Sequence, residues 1–144
     1  MIPAYINFVL LLVISTVHLY WSLGGQWGLQ VAVPEQNSKR VIKPGRLLTL
    51  LVAALFGSMA LYYLYKIGLL PVASPFVPAW LDQYGLWLLA GIFLLRAIGD
   101  FRYVGFTKKV YATRFADLDT QFYSPLCLVL SLNTVWLIWS LADS

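Results

Sequence analysis

Apolar residues run almost unbroken through four stretches of the chain, Pro3–Leu23, Leu47–Leu70, Leu81–Gly99 and Tyr123–Leu141. Polar residues gather between them. Each stretch holds about 19–24 residues, enough for a helix rising ~1.5 Å per residue to cross a ~30 Å hydrocarbon core. Backbone N–H and C=O groups find no water in that core, so the pattern predicts helices rather than an open sheet. With 144 residues and four spans, little chain remains for a soluble domain. The predicted fold class is an all-α membrane protein: a four-transmembrane antiparallel helical bundle in one domain over residues 1–144.

Composition agrees. Charged residues make up 11% of the chain, against about 25% in soluble domains. The first stretch is expected to be a retained helix. No Lys or Arg precedes Lys39, and it ends His18-Leu19-Tyr20-Trp21 where a cleavage site would need small residues. Cys127 is the one cysteine, so no intrachain disulfide forms and cysteine usage does not report the compartment.

The basic residues set an orientation. The first connection carries Lys39, Arg40, Lys43 and Arg46; the third carries Arg102, Lys108, Lys109 and Arg114. The second connection and both termini add only Lys66, at the far end of span two. The positive-inside rule then places connections one and three in the cytoplasm and both termini outside. A net charge of +4 flanking membrane spans points to anionic lipid at the cytoplasmic face as a partner, and not to nucleic acid.

Turn chemistry follows the same division. Gly24-Gly25 and Gly28 end span one, Pro44-Gly45 precedes span two, and Pro71, Pro75 and Pro78 break the outer connection. Phe106, Val110, Tyr111, Phe115 and Leu118 recur at helical spacing among Lys108, Lys109 and Arg114. This is expected to be an interfacial helix with a basic face; the alternative is a plain loop. Leu23-Gly24 closes span one much as Ile98-Gly99 closes span three. The chain is therefore also read as two parallel two-helix repeats.

Candidate chemistry lies at the cytoplasmic end. Ser15, His18, Ser22 and Gly25 share one face of span one, bordered by Trp21. His18 is either a structural histidine bonded to a neighbouring helix or a proton-transfer, ligand-binding or metal group. One His and one Cys without a compact ligand motif make metal the weakest option, and none is assigned. Arg96, Asp100 and Tyr103 share a face, so Arg96 is expected to pair with Asp100 or to reach headgroups. Its alternative role is a fixed guanidinium facing an anionic ligand. Of Asp117 and Asp119, one is expected to cap span four and the other to face the polar cluster. Pro125 suits a first helical turn.

Ser124, Cys127, Ser131 and Thr134 form a stripe in span four, and Asn133 needs its own partner. These are expected to be helix-packing groups. So are the small-residue faces Ala53-x-x-x-Gly57 and Ala54-x-x-x-Ser58. If the bundle closes, His18, Trp21, Ser22, Trp27, Arg96, Asp100, Asp117, Asp119 and Tyr123 surround one pocket, with Arg46 at the same level. The outer half is read as nearly all aliphatic and aromatic, which counts against a simple ion channel.

Four strings carry a resemblance: His18-Leu19-Tyr20-Trp21-Ser22-Leu23-Gly24-Gly25, Arg96-Ala97-Ile98-Gly99-Asp100-Phe101-Arg102, Phe115-Ala116-Asp117-Leu118-Asp119 and Ser124-Pro125-Leu126-Cys127. Together they resemble a bacterial family of small four-span membrane proteins, domain of unknown function 3995. The resemblance covers essentially the whole chain. It implies a four-helix integral protein of a bacterial inner membrane and supplies no activity, substrate or cofactor. The residues favour a binding protein whose cytoplasm-facing pocket holds a small or lipid-like ligand. In that reading Arg96 fixes its polar head, His18 hydrogen-bonds it, and Trp21 and Trp27 pack its apolar part. The competing readings are a membrane enzyme with His18 or an aspartate as acid/base, an oligomeric transporter, and a structural partner subunit.

Overall fold

In a computed structural model, four helices are long and apolar enough to cross a membrane. The structure describes residues 1–33, 35–36, 39–40, 45–111 and 113–143. Lys43 and Pro44 of the expected first connection lie outside these residues. Helix α1 spans Ile2–Ser22, a short α2 Leu29–Ala32, α3 Arg46–Lys66, and α4 Ala79–Ile98. A short α5, Arg114–Leu118, runs through a π-helical turn, Asp119–Tyr123, into α6, Ser124–Ala142. Residues 35–36 and 39–40 form a two-residue antiparallel ladder in the register Glu35↔Arg40 and Gln36↔Lys39. The protein is an all-α four-span bundle.

The helices pack as two hairpins. α1 lies along α3, α4 lies along α6, and α1 meets α6 between the pairs. Corresponding glycines close α1 and α4: Gly24 (φ +103°) and Gly99 (φ +95°) both take the left-handed conformation that side chains resist. Large apolar side chains such as Leu51, Leu95, Leu132 and Trp139 face outward, as a lipid solvent allows. Lipid tails are as apolar as leucine, so helix contacts depend on close backbone approach and hydrogen bonds rather than on hydrophobic burial. Ser15 Oγ donates to the Ala53 carbonyl at 2.7 Å, and a Cβ on Gly57 would stand 3.2 Å from that Oγ. The Ala53/Gly57 face is thus the seat of α1. Ala54 and Ser58, on the second small-residue face, are exposed. On the other hairpin Ser131 Oγ donates to the Ala90 carbonyl at 2.9 Å.

The half of the bundle away from the basic connections is not simply aliphatic. Asn7 is fully buried there and donates from Nδ2 to the Leu130 carbonyl and to Thr134 Oγ1, each at 3.0 Å. Tyr63 OH meets the same Thr134 Oγ1 at 2.6 Å, and Asn133 Nδ2 donates to Asn7 Oδ1 at 3.2 Å. Thr134 passes its own proton to the Leu130 carbonyl, which leaves Tyr63 as the donor to it. The network joins α1, α3 and α6. A single Asn within an apolar run gives no periodic signal, which is why the pattern of the first span did not mark it.

Two local expectations change. The first concerns residues 99–111, which form bends and turns and not an interfacial helix. Gly99 and Gly105 approach so closely that a Cβ on either would collide with the opposite limb of the turn. The second concerns the cap. The helix carrying span four begins at Arg114, and Thr113 caps it: Thr113 Oγ1 accepts the Ala116 N–H at 3.1 Å, and neither Asp117 nor Asp119 takes that place. Pro125 keeps the place expected for it, in the first turn of α6, although that helix continues directly from the turn before it. Proline lacks an N–H and its ring crowds the carbonyl four residues back, and the widened π turn directly before Pro125 makes the accommodation.

Candidate functional site

The last turn of α4 and the turn that follows it wrap one carboxylate. Chain reversal at Gly99 brings Phe106 N–H to the Ala97 carbonyl at 2.9 Å and Thr107 N–H to the Ile98 carbonyl at 3.2 Å. These bonds satisfy carbonyls that a helix end leaves open. Asp100 organises the reversal: its Oδ1 accepts the N–H groups of Arg102, Tyr103 and Val104 at 2.9, 2.7 and 2.9 Å. Partial burial pushes the Asp100 pKa up, but the three backbone donors outweigh it and hold the carboxyl below the usual aspartate range.

Asp119 is the centre of the cluster, and its side chain is fully buried. Arg96 Nη2 donates to Oδ1 at 3.0 Å. Gly105 N–H donates to Oδ2 at 2.7 Å and Lys108 Nζ to the same oxygen at 3.0 Å. The Lys108 side chain is itself fully buried. Its ammonium also reaches the Gly105 carbonyl at 3.2 Å and Thr120 Oγ1 at 2.5 Å, so all three donors are used. Arg96 differs: its side chain is 35% exposed, yet its Nη1 is buried without a hydrogen-bond partner among the described residues. Ser124 Oγ is buried and unpartnered in the same way. Ser131 pairs with Ala90, and two turns along each antiparallel helix Ser124 comes level with Ala97, beside Arg96.

Of the residues expected to form one pocket, the structure gathers Arg96 and Asp119, with Tyr123 one turn beyond Asp119. Tyr123 OH donates to the Val31 carbonyl at 3.4 Å, which links α2 to the same end. Arg96 takes Asp119 as its partner instead of Asp100, because Asp100 is committed to the backbone of its own turn. Asp117 is exposed in the first turn of α5. His18 lies in the α1–α3 seam, its ring 5.4 Å from Phe56 and 5.0 Å from Trp21. Its Nδ1 donates to the Ile14 carbonyl at 2.8 Å, which leaves Nε2 as acceptor in the neutral ring. Ser22 Oγ is turned to the Leu19 carbonyl. Trp21 Nε1 donates to the Trp27 carbonyl at 2.8 Å. Trp27 lines a shallow groove of about 290 Å³ with Thr16, Val17 and Tyr20. Arg46 Nη2 would stand 3.5 Å from a Cβ on Gly24, which puts it at the level of the α1 end.

Among the described residues no three His, Cys, Asp or Glu side chains converge as a metal site would require. The sequence reading missed Lys108, Gly105 and Thr120 as partners of the cluster. Nothing in the string Lys108-Lys109 distinguishes the buried lysine from the exposed one; the reversal at Gly99 and Gly105 decides it.

The model of a family described as proteins of unknown function, DUF3995, matches residues 11–134. The chain belongs to this family. The DUF3995 match runs from within α1 to Thr134 and so includes Arg96, the Gly99–Gly105 turn, Lys108 and Asp119. No curated protein and no solved structure matches the chain.

Proposed function

We propose that this DUF3995 protein is a multi-pass protein of a bacterial inner membrane that holds a small or lipid-like ligand at the cytoplasmic end of its bundle. In this reading the basic connections face the cytoplasm and both termini lie outside. Arg96 meets the anionic head of the ligand. One observation carries the reading: two cations, Arg96 and Lys108, share the single carboxylate of Asp119. Two positive charges against one negative leave a formal surplus of +1. Lys108 and Asp119 are the fully buried, mutually neutralising members, so the surplus falls on Arg96, a cation at the end of a membrane-spanning helix that an anion would complete. Lys108 is fully buried and has spent its donors, whereas the Arg96 side chain is 35% exposed. The guanidinium is thus the member left to contact a ligand, and its planar fork suits a carboxylate or phosphate.

His18 plays no part in this assignment, since its bonds and ring contacts lie within α1 and with α3. Native mass spectrometry of protein extracted in mild detergent, without added ligand, tests the reading. A discrete bound mass is expected on the wild type and lost in Arg96→Gln with helical content retained. A wild-type protein that carries no bound mass under gentle activation overturns it.

A further inference from the structure

We propose that the turn after α4 is a membrane-surface element. Residues 99–111 lie in the headgroup layer of an anionic bilayer, with Phe101 and Phe106 inserted into it and Arg102, Lys109 and the neighbouring Arg114 paired with lipid phosphates. The inference is independent of the ligand proposed above. Depth is the first argument. α4 has 20 residues, Ala79–Ile98, and about 30 Å of helix matches the thickness of the hydrocarbon core. Its last turn therefore stands where lipid tails give way to headgroups. The chain does not leave for water from there. Phe106 N–H donates to the Ala97 carbonyl at 2.9 Å. Thr107 donates to the Ile98 carbonyl through its N–H at 3.2 Å and its Oγ1 at 2.7 Å. The N–H groups of Lys109 and Val110 both reach the Arg102 carbonyl at 3.1 Å. Residues 106 and 107 are thus pinned level with the end of the span, and the segment closes on itself.

The side chains of this stretch fit that layer. Phe101 is 63% exposed, Phe106 46% and Tyr111 60%. Phe101 also holds φ +60°, a left-handed conformation that bulky side chains rarely take. With the ring exposed, packing within the described residues does not explain this conformation, and burial of the ring among lipids would offset it. Aromatic rings favour the boundary between lipid tails and water. The charge points the same way. Arg102, Lys109 and Arg114 are exposed and outnumber the exposed acids Asp100 and Asp117. The surplus on Arg96 adds to theirs. The Arg102 guanidinium lies over the Tyr103 ring, 5.0 Å from its centroid. Cation and aromatic ring thus sit side by side, as on amphipathic surfaces that meet anionic lipid. A soluble acidic protein would match the charge, but exposed rings pinned level with the end of a span meet lipid first. A tightly folded turn takes the place of the interfacial helix that the spacing of Phe106, Val110 and Tyr111 suggests.

The test uses full-length protein in a Cys127→Ser background, with the fluorophore NBD attached at Phe101→Cys or, separately, at Phe106→Cys. Each is placed in vesicles of equimolar phosphatidylglycerol and phosphatidylcholine and carries wild-type helical content. Doxyl-labelled lipid quenches the probe from the bilayer, and iodide quenches it from water. At both sites doxyl lipid is expected to quench strongly and iodide weakly. Doxyl-labelled phosphatidylglycerol is expected to quench about fivefold more effectively than the phosphatidylcholine form, the factor that one cation near an anionic surface contributes. Adding Arg102→Gln with Lys109→Gln is expected to bring the two lipids near parity with helical content unchanged. Quenching by iodide without quenching by lipid overturns the membrane contact. A probe shielded from both reports a contact between copies of this chain and overturns it as well. Equal quenching by the two lipids, with Arg102 and Lys109 in place, overturns the selection for anionic lipid.

Discussion

Asp119 ties the turn after α4 to the helix before it. It accepts from Arg96, Lys108 and the Gly105 backbone, and without it Lys108 would be a fully buried, uncompensated ammonium. Breaking a buried pair by removing one partner costs about 3–5 kcal/mol, whereas replacing both partners by apolar groups is often neutral. Asp119→Ala is therefore expected to lower the thermal midpoint in detergent strongly, and Asp119→Leu combined with Lys108→Met to recover much of the loss. A double variant as unstable as the single one would show that the carboxylate acts through Arg96 and Gly105 alone. Asp100 gives a pH-dependent counterpart. Its folded pKa lies below the ordinary value of about 3.9. Its contribution is present above that ordinary value and fades as pH falls through the depressed one. The midpoint difference between wild type and Asp100→Asn is expected to hold from neutrality down to about pH 4 and to shrink below it; a difference that grows on acidification would contradict the turn assignment.

Between the helices, the network of Asn7, Tyr63, Thr134 and Asn133 fixes which elements meet. Asn7 contributes three of its bonds. Hydrogen bonds between membrane helices average about 0.6 kcal/mol each, so Asn7→Leu is expected to cost about 2 kcal/mol in a reversible unfolding assay. Tyr63→Phe removes one bond and should cost a fraction of that. Equal losses in the two variants would mean that packing volume, not hydrogen bonding, sets the contact. The turn after α4 is the second device of this kind. Gly99 and Gly105 both hold positive φ, +95° and +86°, in a space that a methyl group cannot enter. Gly99→Ala is expected to displace Lys108 from Asp119. Limited proteolysis across residues 99–111 reads that displacement as faster cleavage than in wild type.

In the molecule as a whole, two hairpins meet chiefly through α1 and α6. Near the ends of α3 and α4, Lys66 Nζ reaches Asp82 Oδ1 at 2.9 Å and the Asp82 carbonyl at 2.8 Å. Tyr62 OH donates to the Leu81 carbonyl at 2.7 Å. These contacts tie the hairpins at the end away from the Arg96 cluster, while Tyr123 and α2 tie them at the basic end. The proposed orientation is a property of this whole arrangement. In a Cys127→Ser background, Asp143→Cys is expected to react with a membrane-impermeant maleimide on intact cells, and Lys109→Cys only after lysis. The reverse pattern would place the Arg96 cluster on the outer side.

The four helices were written in the residue pattern, because about twenty consecutive apolar residues have no other stable form in lipid. So were the glycines that close α1 and α4 and the grouping of the spans into two hairpins. Arg96 and Asp119 were legible as polar exceptions near one end. Their pairing was not, because helical spacing links Arg96 to Asp100, and the tight reversal at Gly99 and Gly105 diverts Asp100 to its own turn. Folding in three dimensions settled that Lys108 is buried and Lys109 exposed, and that Asn133 finds its partner in Asn7. One cause underlies these cases. Hydrophobicity is a property of each residue and sums along the chain, whereas a hydrogen bond or ion pair depends on where two distant segments place their atoms.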